Sequence, residues 1–105
     1  MQRGDIFELQ ISKGVGHEQQ GRRFGVIVQS DALLPRSAVV VAPTSASARA
    51  ASIRPEVVIR GVETKILVEQ VGAVDVTRLG EHIGHVGVEA MWAVDDSLAA
   101  VLGLS

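Results

Sequence analysis

A small, strongly bent antiparallel sheet or half-open β-barrel, closed by one C-terminal helix, is the fold class that this chain predicts. Three observations carry it: five or six apolar runs of strand length, turn-forming residues between them, and a change to three-to-four apolar spacing from Val88 onward. At 105 residues the chain reads as one domain, residues 1–105, long enough to bury a core without disulfide staples. Its 47% hydrophobic content argues against disorder. No unbroken apolar run approaches the roughly 18 residues of a membrane helix, so a soluble protein is expected. Cysteine is absent, which excludes disulfides and thiolate metal sites. The start Met1-Gln2-Arg3-Gly4-Asp5 has neither an apolar core nor a cleavage signal and predicts a cytoplasmic location.

The elements follow in order. Ile6 to Ile11, bounded by Gly4-Asp5 and Ser12-Lys13-Gly14, reads as a first strand, and the glycine-rich stretch from Ser12 to Gly21 as a long hairpin loop. Phe24–Gln29 and Ala38–Ala42 are continuous valine-rich runs, the pattern of central strands. Between them Ser30-Asp31-Ala32-Leu33-Leu34-Pro35 predicts a capped helical turn stopped by proline. Thr44 to Ser52 is built of small polar residues and predicts a surface loop. Glu56–Ile59, a turn at Gly61, Ile66–Gln70 and a last strand at His82–Val86 complete the sheet. The helix from Val88 places Met91, Trp92, Leu98, Val101 and Leu102 on one stripe and ends near Gly103. Trp92 therefore reads as a core or dimer contact.

Charge is polarised along the chain. Residues 1–60 hold eight cations against five anions, a net +3, and the rest hold two against seven, a net −5. Seven of those eight cations are arginine, the side chain suited to planar bidentate contacts with phosphate or carboxylate. Against that, the whole-chain net charge of −2 excludes a general nucleic-acid coat and leaves a local basic patch.

The segment Gly16-His17-Glu18-Gln19-Gln20-Gly21-Arg22-Arg23 puts an imidazole, a carboxylate and two guanidinium groups on a glycine-hinged loop entering a strand. Arg23, Thr44 and Gln70, each at the end of a strand, would together offer a permanent cation, a hydroxyl and a carboxamide. Such donors suit a phosphodiester whose non-bridging oxygens gain charge when a ribose 2′-hydroxyl attacks the phosphorus. The nucleophile is then part of the substrate, already held beside its target. Arginine is too weak an acid to act as the base, which leaves His17 or Glu18. Each residue also has a plainer role open to it: Arg23 in an ion pair with Glu18, Thr44 as a strand-end cap, Gln70 as partner of a buried backbone group. His82 and His85, three apart in a strand, should point to opposite faces and share no metal.

In order and spacing these motifs resemble the MazF/Kid/PemK family of ribonuclease toxins. Arg3-Gly4-Asp5-Ile6 is similar to the family's opening, and Gly16 to Arg23 to its Gly-x-Glu-x-x-Gly-x-Arg-Pro. Ala42-Pro43-Thr44-Ser45 is similar to its strand-end hydroxyl pair, Glu69-Gln70-Val71 to its Asp-Gln-Ile/Val, and Leu102-Gly103-Leu104 to its C-terminus. The resemblance implies an SH3-like small barrel and a metal-independent endoribonuclease that cuts single-stranded RNA to 2′,3′-cyclic phosphate and 5′-hydroxyl ends. It implies catalytic roles for Arg23, Thr44, Glu18 and His17, and RNA contacts by Gln19, Arg22, Ser45, Arg49 and Gln70. No cofactor is implied. The implied partners are a second copy of the chain and a MazE-like antitoxin with an acidic, disordered tail. Two positions depart from the family: Phe24 replaces its proline, and Gly72 replaces an arginine or lysine that would grip phosphate, leaving Arg22 and Arg49 as substitutes. The related CcdB-type toxins share the architecture but act on a DNA topoisomerase by protein contact. A family member of weak activity that serves mainly to bind its antitoxin is the remaining alternative.

Overall fold

The computed structural model describes residues 1–10 and 23–104. Among them are β1 (Asp5–Leu9), β2 (Arg23–Ile27), β3 (Ala38–Ser45), β4 (Glu56–Ile59), β5 (Val62–Ile66), β6 (Gly72–Asp75), β7 (Leu79–His85) and one α-helix, α1 (Val88–Leu102). The strands form one antiparallel sheet in the order β4-β5-β3-β2-β1-β7, with β6 as a further partner of β3. The sheet curls. Arg60 beyond β4 lies 3.7 Å from Glu81 of β7, so the two ends of the strand order approach each other.

Strand β3 is the hub, and both of its faces are covered. Val26, Ala42, Ile59, Ile66 and Val68 lie on one side, where Met91 and Val94 of α1 join them in the main core. On the other side Ile27, Val39 and Val41 form a second cluster, enclosed by Phe7, Leu34, Val74, Val76 and Leu79. Burial on both sides explains why these strands read as continuous apolar runs and not as alternating ones. Pro43 has no N–H to donate. It stands where one edge of β3 changes partner, from β6 at residues 38–41 to β5 at residues 44–45, and its carbonyl accepts from Leu67 N–H at 2.8 Å.

Several elements match the reading of the sequence. The turn at Asp31–Leu33 is capped by Ser30, whose Oγ accepts from Ala32 N–H at 3.2 Å. The Gly61 turn closes the β4–β5 hairpin, and α1 ends at Gly103. Others differ. The strand expected over Ile66–Gln70 stops at Ile66, and Val68–Gln70 is a 3-10 turn. Ile66, Leu67 and Val68 are all buried, but after Leu67 the backbone leaves the extended path and Gln70 N–H bonds Leu67 O at 2.9 Å. Thr44 and Ser45 extend β3 instead of opening the loop. Strand β6 has almost no apolar signal and is held by its ladder to β3, while β7 starts at Leu79, three residues before the expected His82. The loop Ser12–Gly21 lies outside the described residues.

The stripe of α1 is Met91, Val94, Leu98 and Val101, with buried Ser97 beside it. Trp92 and Leu102 fall off that stripe, and Trp92 is 63% exposed. His82 and His85 do not point to opposite faces. The register of β7 against β1 shifts between Ile6 and Phe7, passing over Ile83, and the inserted residue turns both imidazoles toward one carboxylate.

Candidate functional site

The pairing of β2 with β3 builds the site. Gly25 faces Pro43, Val26 faces Ala42 and Ile27 faces Val41. Continued toward the start of β2, this register sets Phe24 against Thr44 and Arg23 against Ser45. The first of these is seen directly, because Thr44 Oγ1 donates to Phe24 O at 3.1 Å. On its other edge Ser45 faces Lys65 of β5. Arg23, Ser45 and Lys65 therefore form a row across three strands, on one face, at strand spacings of about 4.8 Å.

Thr44 belongs to the opposite face, and the structure does not bring its hydroxyl into that row. It is buried, and its proton is engaged by the Phe24 carbonyl. Phe24 likewise packs on the main core. The hydroxyl on the Arg23 face is that of Ser45, whose oxygen accepts from Ala48 N–H at 3.1 Å and lies 3.4 Å from Ser47 Oγ. These contacts fold the chain back after β3 and carry Arg49 to an exposed position.

A second set of contacts fixes the neighbouring turn. Arg54 donates to Glu69 Oε2 from Nε at 3.0 Å and from Nη2 at 2.7 Å, and to Arg49 O from Nη1 at 2.9 Å. The guanidinium beside Glu69 holds that carboxyl below its ordinary range, against the opposing effect of burial. Glu69 is thus a fixed anion, poorly suited to taking up a proton. Gln70, next to it, is exposed, and its carboxamide has no hydrogen-bond partner among the described residues. It does not serve a buried backbone group.

The cations divide into two kinds. Arg3 bonds Val28 O and Asp95, Arg36 bonds Leu33 O, Arg54 bonds Glu69, Arg60 pairs with Glu81, and Arg78 bonds Gln10 O. Arg23, Arg49 and Lys65 have no side-chain hydrogen bond or ion pair among the described residues. All three stand around the end of β3. Guanidinium and ammonium groups without partners among the described residues, set around the Ser45 hydroxyl, make a surface for a polyanion. Reasoning from sequence missed Lys65. Its alternation with buried Thr64 and Ile66 marks an outward residue, but its position beside Ser45 depends on a pairing that the sequence does not spell out.

His17, Glu18, Gln19 and Arg22 lie outside the described residues. At Gly72 an added Cβ would meet only Gln70 O, at 4.0 Å, so the place of the missing cation is open. At the far end of β1, His85 Nδ1 donates to Asp5 Oδ1 at 2.9 Å, His82 Nε2 lies 3.4 Å from the same oxygen, and Gln2 N–H donates to Oδ2 at 2.7 Å. Burial pushes the Asp5 carboxyl up, but these donors together outweigh it and hold the group below its ordinary value. This cluster ties β1 to β7 and is separated from Arg23 by the length of β1.

Among the described residues no helix is long and apolar enough to cross a membrane. Residues 2–102 match the family model described as PemK-like, MazF-like toxin of type II toxin-antitoxin system. A Mycobacterium tuberculosis protein named as a toxin, Rv3098A, is 35% identical over 104 residues, which cover 97% of each chain. The solved Mycobacterium tuberculosis toxin MazF-mt6 superposes with a TM-score of 0.80 at 18% identity, over 96% of this chain and 98% of that one. An endoribonuclease from a mycobacterial species, in complex with its cognate antitoxin, superposes with a TM-score of 0.78 at 19% identity, over 100% of this chain and 97% of that one. The curled sheet with its closing helix is the fold of those toxins, and the match over nearly the whole sequence settles descent: the chain belongs to the PemK/MazF family of type II toxins.

Proposed function

We propose that the protein is a sequence-selective endoribonuclease toxin, cutting single-stranded RNA by attack of a ribose 2′-hydroxyl on its own phosphorus. The observation that carries this reading is the gathering of Arg23, Arg49 and Lys65, without hydrogen-bond or ion-pair partners among the described residues, around the end of β3. Arg23 faces the non-bridging phosphate oxygens and stabilises their growing charge, while Ser45 and Gln70 supply neutral donors. Thr44 pins β2 to β3 through Phe24 O and so keeps Arg23 in register beside Ser45. His17 or Glu18 takes the 2′-hydroxyl proton. As the O2′–P bond forms the P–O5′ bond breaks and the leaving 5′ oxygen takes a proton from water, so the products are a 2′,3′-cyclic phosphate and a 5′-hydroxyl, and the chemistry calls for no metal because the substrate holds its own nucleophile.

The chain works as a homodimer in the cytoplasm, and a MazE-like antitoxin silences it by laying an acidic tail over the same cations. Family membership and likeness to an endoribonuclease solved in complex with its cognate antitoxin support this reading. The test is incubation of purified dimer with a long unstructured RNA in excess EDTA, with the cut ends mapped. Wild type should give discrete cuts, and Arg23→Ala should slow cleavage by about 10²- to 10³-fold. Absence of cleavage by folded dimer across several RNAs would refute it and favour a family member that only binds its antitoxin.

A further inference from the structure

We propose that Lys65 is a phosphate-gripping residue of the RNA site, standing in for the cation that the chain lacks at Gly72. The proposal rests on the endoribonuclease reading and adds a residue to it. Lys65 faces Ser45 across β5 and β3, and Gly72 faces Val41 across β6 and β3. Residues 41 and 45 of β3 share a face, and β5 and β6 lie along the same edge of that strand. Positions 72 and 65 thus lie on one edge and one face, and the β3 residues they face are about 13 Å apart at the rise of a strand, within the span of a few nucleotides of one RNA strand.

Lys65 also meets the other requirement of a polyanion contact. It has no ion-pair partner among the described residues, although Glu56 faces it from β4. Buried Thr64 and Ile66 on either side fix its backbone, so the position of its stem is set by core packing. Together with Arg23 it brackets the Ser45 hydroxyl, one cation on each neighbouring strand. A strand of RNA lying across this row meets positive charge on both sides of Ser45, without help from position 72.

Phosphate contacts are counted by salt. Each one lost from a single-stranded complex reduces the slope of log K against log salt by about 0.7. The experiment measures binding of an RNA carrying 2′-O-methyl groups throughout, which cannot be cleaved, by fluorescence anisotropy over a salt series. Lys65→Gln should weaken binding and reduce the slope by about 0.7, Lys65→Arg should keep it, and Gly72→Arg added to Lys65→Gln should restore it. Arg36→Gln, at the opposite end of β3, should leave the slope unchanged and serves as the control. A folded Lys65→Gln protein with the wild-type slope would overturn the role of Lys65 and leave the nuclease reading standing. Failure of the wild type to bind RNA at all would overturn both.

Discussion

Thr44 shows how much depends on where one hydroxyl points. The strand-end Thr-Ser pair is plain in the sequence, but which of the two faces Arg23 follows from strand parity, and parity depends on where β3 ends. The structure gives Ser45 to the Arg23 face and buries Thr44 against Phe24 O. Two substitutions separate the roles open to Thr44. Thr44→Val keeps the shape and removes the hydroxyl; if that hydroxyl reaches phosphate, kcat should fall by about 10²-fold, with Thr44→Ser rescuing it. If it only pins β2 to β3, Thr44→Val should lower stability by about 1 kcal/mol and leave kcat in place. Asp5 makes a prediction about acid. Its carboxyl titrates below the ordinary 3.8, so its contribution is complete above that value and is lost as pH falls through the lower, folded-state value. The melting temperature should therefore drop below about pH 4, and Asp5→Asn should lower it at neutral pH while flattening that acid limb.

At the scale of elements, chain punctuation was the most legible part of the sequence. Ser30 as a cap, Gly61 as a hairpin turn and Gly103 as a helix stop all act through short-range chemistry that two or three residues suffice to specify. Gly103 is the clearest of these. It adopts φ +72°, and its N–H bonds Ala100 O at 3.3 Å while Leu104 N–H bonds Ala99 O at 2.7 Å, the paired bonds of a Schellman ending. Nothing crowds a Cβ there, so the cost of Gly103→Ala is the left-handed backbone alone, about 1 kcal/mol, measurable by urea unfolding. What escaped the sequence was long-range. Strand β6 exists because β3 offers it an edge, and the turn at Val68–Gln70 sits where the chain leaves β5 to reach that edge. A bulge no local motif announces brings His82 and His85 together.

For the whole molecule, the fold class was readable because both sheet faces are covered and each buried strand carries its own valine signature. Ile66 sits at the centre of the main core, fully buried among residues of the sheet and helix, and Ile66→Ala should cost about 2–5 kcal/mol in equilibrium unfolding. The candidate site was half legible. Arg23, Ser45, Arg49 and Gln70 can be picked out from their motifs, whereas the pairing of Ser45 with Lys65 and the Arg54–Glu69 clamp emerge only once distant strands are paired. That pairing is uneven. Four residue pairs join β6 to β3, but only Thr44–Ile66 and Ser45–Lys65 join β5 to it, beside the gap that Pro43 leaves in the ladder. The β4–β5 hairpin is therefore held less by its ladder to β3 than by Ile59 and Ile66 in the core and by the Arg54–Glu69 pair that joins its two flanking segments. Lys65 rides on that hairpin and Arg23 on the strand across β3, so the two cations that flank Ser45 are carried by separate parts of the sheet and meet only through β3.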